Sequence, residues 1–293
     1  MSYSVIIPSA NRPELLRRAV DSVDAQTLPA GEILVVVDEP EDGDRYGWLG
    51  ERERCRLWFT GGRKGAAVAR NIGLENATEP FVFFLDDDDE WLPEKAARQI
   101  SFLEEFPDFQ GVTCGNFRVY GKGWSDRQER PSSEVIRRDV RVWNHTGSFS
   151  FFGFRREGVA ADLRLEESLP ACQDLTFYMD FVDRGGRIGV VNEPLARFHC
   201  HEGGRISGNR ERKEKALTRV FELRGSRMTA SERRFLRARI LAFRCGRQGG
   251  GVGNPVDFAR CLALLALSGR RARLGWRVFK FACTHLRRSG AKN

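Results

Sequence analysis

Solid apolar runs alternate along the first part of the chain with stretches in which apolar residues recur every three or four positions. Ser4-Val-Ile-Ile-Pro8 reads as a short buried strand, and Asn11, Arg12 and Pro13 then open a helix carrying Leu15, Leu16, Ala19, Val20 and Val23 at helical spacing. Ile33 to Val37 is an unbroken aliphatic run of the kind found in parallel strands buried on both faces. A third unit begins near Leu57 to Phe59, followed by a flexible loop from Gly61 to Gly65, a helix from Ala66 to Leu74 and an apolar strand from Phe81 to Leu85. The pattern predicts a helix over Gln99 to Phe106, a strand over Gly111 to Val119, a helix over Ala171 to Val182 and a strand over Ile188 to Val191. Lys122 to Val142 is polar and reads as a loop or insertion, whereas Phe149 to Phe154 is apolar and aromatic. Strands alternating with helices predict an open α/β sheet, mostly parallel.

Acidic residues fall where such a sheet binds ligands, outside the carboxyl ends of its strands. Asp38 ends one apolar run, and Asp86, Asp87, Asp88 and Asp89 end another. After Gly204 the character changes to basic amphipathic helices, near 209–226, 230–246, 255–268 and 272–287, with a Gly-rich break from Gly246 to Gly253. The net charge of +8 conceals this division: residues 1–204 hold 25 Lys and Arg against 35 Asp and Glu, whereas residues 205–293 hold 23 against 5. The reading is an acidic chemical module over 1–207 followed by a basic helical region over 208–293.

Composition adds limits. With 293 residues, 41% hydrophobic and 30% charged, the chain is an ordinary globular one, neither collagen-like nor disordered. No apolar run is long enough to span a membrane, and Met1 to Pro8 enters a strand pattern without a secretory signal, so a cytoplasmic location is expected. Seven cysteines without a CxxC pair agree with a reducing compartment. The Asn76-Ala-Thr78 and Asn144-His-Thr146 sequons carry no meaning there.

Four adjacent carboxylates repel one another unless a cation joins them, and hard oxygen ligands favour Mg²⁺ or Mn²⁺. The alternative is a solvated acidic turn capping the helix that begins near Pro93. His199 and His201 fall on one side of an extended segment, where either completes a metal shell or stands as an ordinary surface histidine.

Taken in order, these residues resemble family 2 glycosyltransferases of the GT-A fold over about residues 3–207. The resemblance rests on Ser4-Val-Ile-Ile-Pro8, Asn11-Arg-Pro-Glu-Leu-Leu16, Gln26-Thr-Leu-Pro29 and Ile33 to Asp38. It continues through Lys64-Gly-Ala-Ala-Val-Ala-Arg-Asn71, Phe83-Phe-Leu-Asp-Asp-Asp-Asp-Glu-Trp-Leu-Pro93, Gln173-Asp174 and His201 to Ser207.

The resemblance implies a nucleotide-diphosphate sugar donor and transfer to an acceptor hydroxyl with inversion at the anomeric carbon. It implies nucleobase and ribose contacts at Pro8 and Asp38, nucleotide contact at Arg70, and a DxD element within Asp86–Asp88 that holds ribose and a diphosphate-bound metal. Asp86 and Asp88 are the expected ligands, Asp86 and Asp87 also touch the nucleotide sugar, and His201 helps with the metal or diphosphate. Asp174 is the expected catalytic base; a helix N-cap is its alternative role. Two motifs depart from the family pattern: Asp38 is followed by Glu39 where many relatives have paired aspartates, and Gln173 precedes Asp174 where many have Glu.

The Arg-rich helices, with Phe, Leu and Trp interleaved as in Phe258 to Leu267 and Leu274 to Leu286, suit either an anionic membrane surface or packing on the catalytic domain. Nucleic-acid binding has no reader motif in its favour. The expected function is glycosyl transfer in bacterial surface glycan or glycolipid synthesis, onto a glycan or lipid-linked acceptor. Its rivals are a catalytically silent sugar-nucleotide or glycan-binding protein and a sugar-phosphate nucleotidyltransferase.

Overall fold

The structure is a computed structural model that describes residues 1–123, 125–158, 161–200, 210–245 and 255–268, together with Gly275 and Val278. In chain order the elements are β1 (Tyr3–Ser9), α1 (Pro13–Asp24), β2 (Glu32–Val37), α2 (Gly43–Tyr46), β3 (Cys55–Phe59), α3 (Ala66–Asn76), β4 (Phe81–Phe84), β5 (Glu90–Trp91) and α4 (Lys95–Glu105). Then come β6 (Gly111–Tyr120), β7 (Ser125–Gln128), α5 (Ser133–Asp139), β8 (Gly153–Arg155), α6 (Gln173–Asp183), β9 (Ile188–Cys200), α7 (Arg210–Arg224), α8 (Ala230–Cys245) and α9 (Pro255–Leu267).

One sheet runs β3-β2-β1-β4-β8-β6-β9-β5, with β7 beside β6. Its first four strands are parallel, β8 is antiparallel to both β4 and β6, and β9 lies parallel to β6. The solid apolar runs have a direct cause, because both faces are covered. Val5, Ile7, Ile33, Val35, Val37, Phe83 and Val112 pack on Leu16, Ala19, Val20 and Val23 of α1 and Ala96, Ile100 and Leu103 of α4. Their alternates Ile6, Leu34, Val82, Phe84 and Phe154 face Ala67 of α3, Ile136 of α5 and Phe177, Tyr178 and Phe181 of α6.

By compactness the chain divides into Met1–Glu167 with Asp174–Glu202, and Ser168–Gln173 with Gly203–Asn293. In the second unit α7 buries Ala216, Leu217 and Val220, and its Glu214 pairs with Arg244 of α8 at 3.1 Å. The Cys261 thiol of α9 donates to the Ala238 carbonyl of α8 at 3.3 Å.

Three expectations are corrected. The polar stretch 122–142 is not all loop: it contains β7 and the helix α5, whose Ile136 is buried while its arginines stay in water. Helix α4 starts at Lys95, four residues before Gln99, because the charged Lys95 side chain is itself inside. β9 continues past Val191 to Cys200: a register shift opposite Cys114 and Gly115 absorbs the polar Asn192-Glu193, and pairing then resumes. His201 and the motif to Ser207, the Gly-rich break and most of the helix expected at 272–287 lie outside the described residues.

Candidate active site

The parallel strands set the site. Pro8 is buried in β1 opposite Val36, and Asp38 follows β2, its amide donating to the Ser9 carbonyl at 2.8 Å. The Asp38 carboxylate is engaged by the loop that precedes α3: it accepts from Thr60 Oγ1 at 2.9 Å and from the Lys64 and Gly65 amides at 2.7 and 2.8 Å. That loop needs backbone amides turned inward, which Gly65 permits at φ +101°. Glu39, the departure from the paired aspartates, accepts from the Tyr46 hydroxyl at 2.9 Å.

After β4 the chain turns sharply. The Asp89 amide donates to the Asp86 carbonyl at 3.0 Å, and β5 then pairs antiparallel with β9, so the acidic turn is pinned at both ends. Arg70 of α3 donates to Asp86 at 2.5 Å and Ser148 donates to its other oxygen at 2.8 Å. Asp87 is 1% exposed, accepts from Ser9 Oγ at 2.7 Å and pairs with Arg12 at 2.6 Å; burial pushes its carboxyl up to about 6, against the pull of Arg12. Arg12 reaches Asp88 at 3.4 Å, and Arg18 donates to the Asp88 carbonyl at 2.9 Å. Asp89 accepts from Ser150 Oγ at 2.7 Å and from the His199 amide at 3.2 Å.

Asp86, Asp88 and Asp89 each offer an oxygen, and these lie within 4.8 Å of one another. Oxygens bound to one hard cation at about 2.0–2.6 Å stand up to roughly 5 Å apart, so this trio fits a divalent ion. Asp86 and Asp88 are the ligands expected from sequence; Asp89 joins them. The His199 imidazole meets Glu90, with Nε2 2.5 Å from Glu90 Oε1. His201 lies outside the described residues.

Asp174 is the second residue of α6 and so is not its cap. The residue as a whole is partly buried, and its carboxylate accepts from the Leu175 amide at 2.8 Å and from Asn144 Nδ2 at 2.6 Å. Desolvation raises its pKa, opposed by those two bonds and by Arg70 and assisted by the charge of Asp86. Arg70, Asp86 and Asp174 therefore share one electrostatic neighbourhood, whereas Pro8 and Asp38 stand at the ends of β1 and β2. Arg12, Asn144, Ser148 and Ser150 escaped the sequence reading as site residues. Arg12 enters the sequence reading only within the Asn11–Leu16 motif, Asn144 only within a sequon and Ser150 only within the aromatic segment Phe149 to Phe154.

Comparison with known proteins bears on the fold and the family. The amylovoran biosynthesis glycosyltransferase AmsB of Erwinia amylovora is 25% identical over 214 residues, 68% of this chain and 70% of AmsB. The UDP-Glc:alpha-D-GlcNAc-diphosphoundecaprenol beta-1,3-glucosyltransferase WfgD of Escherichia coli is 38% identical over 101 residues, 34% of this chain and 40% of WfgD. The crystal structure of S. aureus TarS 1-349 in complex with UDP-GlcNAc shares the fold at TM-score 0.66 and 18% identity, over 99% of this chain and 89% of that one. Residues 4–161, more than half of the chain, match Glycosyl transferase family 2, and the protein belongs to that family.

Proposed function

We propose that this glycosyltransferase is inverting and divalent-metal-dependent, and that it moves a sugar from a nucleotide-diphosphate donor to an acceptor hydroxyl during synthesis of a bacterial surface polysaccharide. The observation that carries the reading is the pairing of an acidic trio that fits a cation, Asp86, Asp88 and Asp89, with a desolvated carboxylate, Asp174, through their common neighbour Arg70. The names of AmsB and WfgD, and the UDP-GlcNAc bound to TarS, support a nucleotide-sugar donor and a glycan or lipid-linked acceptor.

Asp174 takes the proton of the acceptor hydroxyl as that oxygen attacks the anomeric carbon. Attack comes from the face opposite the leaving diphosphate, so the configuration inverts. Its raised pKa brings the proton affinity of the carboxylate closer to that of a working base. The bond from the anomeric carbon to the diphosphate oxygen breaks, leaving charge on the nucleoside diphosphate. Asp86, Asp88 and Asp89 would hold Mg²⁺ or Mn²⁺, which would supply positive charge for that leaving group. Arg70 carries a second positive charge beside Asp86, and Pro8, Asp38 and Asp87 line the nucleotide side. His201 is a proposed helper at the metal or diphosphate.

The basic second unit supports peripheral contact with an anionic membrane at its cytoplasmic face. Val256 and Leu267 on α9 are 53% and 63% exposed, and Arg270, Arg271 and Arg273 follow Leu267 in the chain. Among the described residues no helix is long and apolar enough to cross a membrane.

Calorimetric titration with UDP, GDP, CDP and dTDP, each with and without Mn²⁺, tests the reading. One nucleotide is expected to bind at micromolar affinity only with the metal, and Asp86→Ala or Asp88→Ala should abolish that binding. Failure of every nucleotide to bind under any metal condition overturns it.

A further inference from the structure

Asn144 lies on a turn that touches both halves of the reaction centre. Its side-chain oxygen accepts from the Gly147 amide at 2.8 Å, and its Nδ2 donates to the Gly147 carbonyl at 2.9 Å and to Asp174 Oδ2 at 2.6 Å. A carboxamide has two N–H donors, and both are committed. The orientation of the amide follows from the network: the Gly147 N–H admits only an oxygen opposite it, which leaves the nitrogen facing the carboxylate.

Gly147 is itself constrained. Its φ is +95°, and a Cβ there would come within 2.7 Å of Phe151 Cδ2 and 2.9 Å of Arg130 Nη2, so only glycine fits. Beyond Gly147 the same turn reaches the acidic side. Ser148 donates to Asp86, Ser150 Oγ donates to Asp89 and accepts from the Asp86 amide at 3.1 Å, and the Ser150 carbonyl accepts from Trp91 Nε1 at 2.9 Å.

We propose that Asn144 is a positioning residue for the base Asp174, and that the turn it closes, residues 144–150, sets the spacing between that base and the acidic trio. The proposal rests on Asp174 being the base. Leu175 holds one carboxylate oxygen and Asn144 the other, so the group has one orientation and keeps a lone pair on each oxygen for the acceptor proton. Asn144 also favours the ionised form, working with Arg70 of α3 and against burial and the charge of Asp86; Tyr178, one turn along α6, is a further titratable neighbour. Loss of the clasp therefore frees the carboxylate to turn and raises its proton affinity.

Two variants separate the clasp from the turn. Asn144→Asp keeps an oxygen for the Gly147 amide but loses the donor to Asp174, whereas Asn144→Ala loses both. Steady-state release of nucleoside diphosphate from UDP-glucose, UDP-GlcNAc and the matching GDP, CDP and dTDP sugars is followed with Mn²⁺ across pH. Both variants should lose kcat by about 10²-fold, the scale set by a misplaced catalytic group, with the donor KM unchanged. The acid limb of kcat/KM should move to higher pH, further for Asn144→Asp. Unchanged kcat and an unmoved limb overturn the proposal, as does a kcat loss matched by loss of nucleotide affinity, which marks general damage to the site.

A carbon-13 titration of the Asp174 carboxyl, identified by its disappearance in Asp174→Asn, provides a readout that needs no turnover. The carboxyl should titrate at higher pH in either variant than in the parent, and an unshifted titration overturns the clasp. If Asp174→Asn retains full turnover, the base assignment itself fails. If Asp174→Asn is inactive while the Asn144 variants behave like the parent, only the positioning role fails.

Discussion

At the carboxyl ends of the parallel strands, Asp38, Asp86 and Asp87 each meet hydrogen-bond donors or arginines. Across the sheet, against β4 and β6, a lysine is sealed among aromatic rings. Lys95 is fully buried, with Nζ 3.9 Å from the centre of Trp91 and 4.6 Å from that of Phe83, and its ammonium has no hydrogen-bond partner among the described residues. Desolvation brings its pKa down to about 7, with nearby Cys114 acting in the opposite direction. Arg130 is kept in the same region differently: it lies 4.7 Å over Phe151 and donates to the Cys114 carbonyl and Asn116. Charge at the strand ends is thus held by polar partners, whereas Lys95 is stripped of solvent and tends to its neutral form. Donors on two sides offset part of the cost of burying a carboxylate, although burial still raises the Asp87 pKa to about 6, whereas the ammonium of Lys95 has no such partner among the described residues.

The largest effect expected from this contrast is at Asp174. Asp174→Asn should retain metal-dependent nucleotide binding while lowering turnover by about 10³-fold, in the range of a lost general base. In the parent protein activity should rise with pH along a limb displaced above the ordinary carboxylate range, because desolvation raises this pKa. A limb at the ordinary value would show that Asp174 is as well solvated as a surface carboxylate and would erase the distinction.

Next in size is Gly153 of β8. A Cβ there would come within 2.1 Å of Phe83 Cε1, the ring that also borders Lys95. Gly153→Ala should destabilise the fold by about 3 kcal/mol, as overpacking a core does, read as a fall in the chemical denaturation midpoint. A change within error would mean that the aromatic layer yields easily, and the burial of Lys95 would then need another explanation.

The smallest effect is a gain. A lysine depressed from 10.5 to about 7 is charged in both folded and unfolded chains below the lower value, so burial costs most there. Between the two values the unfolded chain holds the extra proton, and stability rises with pH. Lys95→Met should therefore stabilise the protein by about 2 kcal/mol at pH near or below neutral, a part of the cost that such a shift implies. The gain should shrink as pH approaches 10.5. Equal melting-temperature differences at both extremes would show that Lys95 finds a polar partner in solution.

Legibility in the sequence follows the same division. Ile33 to Val37 and Phe81 to Phe84 were readable because burial on both faces makes a strand apolar at every position, and turn and helix signals follow them closely. Asp38, Asp86, Asp87, Asp88 and Asp174 stood out because a carboxylate directly after such a run or at a helix start is locally conspicuous. The mixed half was harder. β9 hid behind the polar Asn192-Glu193, since a register shift leaves no periodic trace, and α5 hid among arginines because Ile136 is its one buried apolar residue. Asn144 gave no local sign of its role: its partner Asp174 is thirty residues away.

The sequence by itself determined the parallel sheet, its covering helices, the acidic turn after Phe84 and the contrast between an acidic first part and a basic last part. These depend on hydrophobic periodicity and on charges adjacent in the chain. Tertiary structure alone decided that Asp89 joins Asp86 and Asp88, that Arg12 and Arg70 divide the acidic turn between them, and that Asn144 closes on Asp174. The arginine and asparagine contacts join residues distant in sequence, and Asp89 is oriented by Ser150 and the His199 amide, partners that strand order and the turns between strands bring to it.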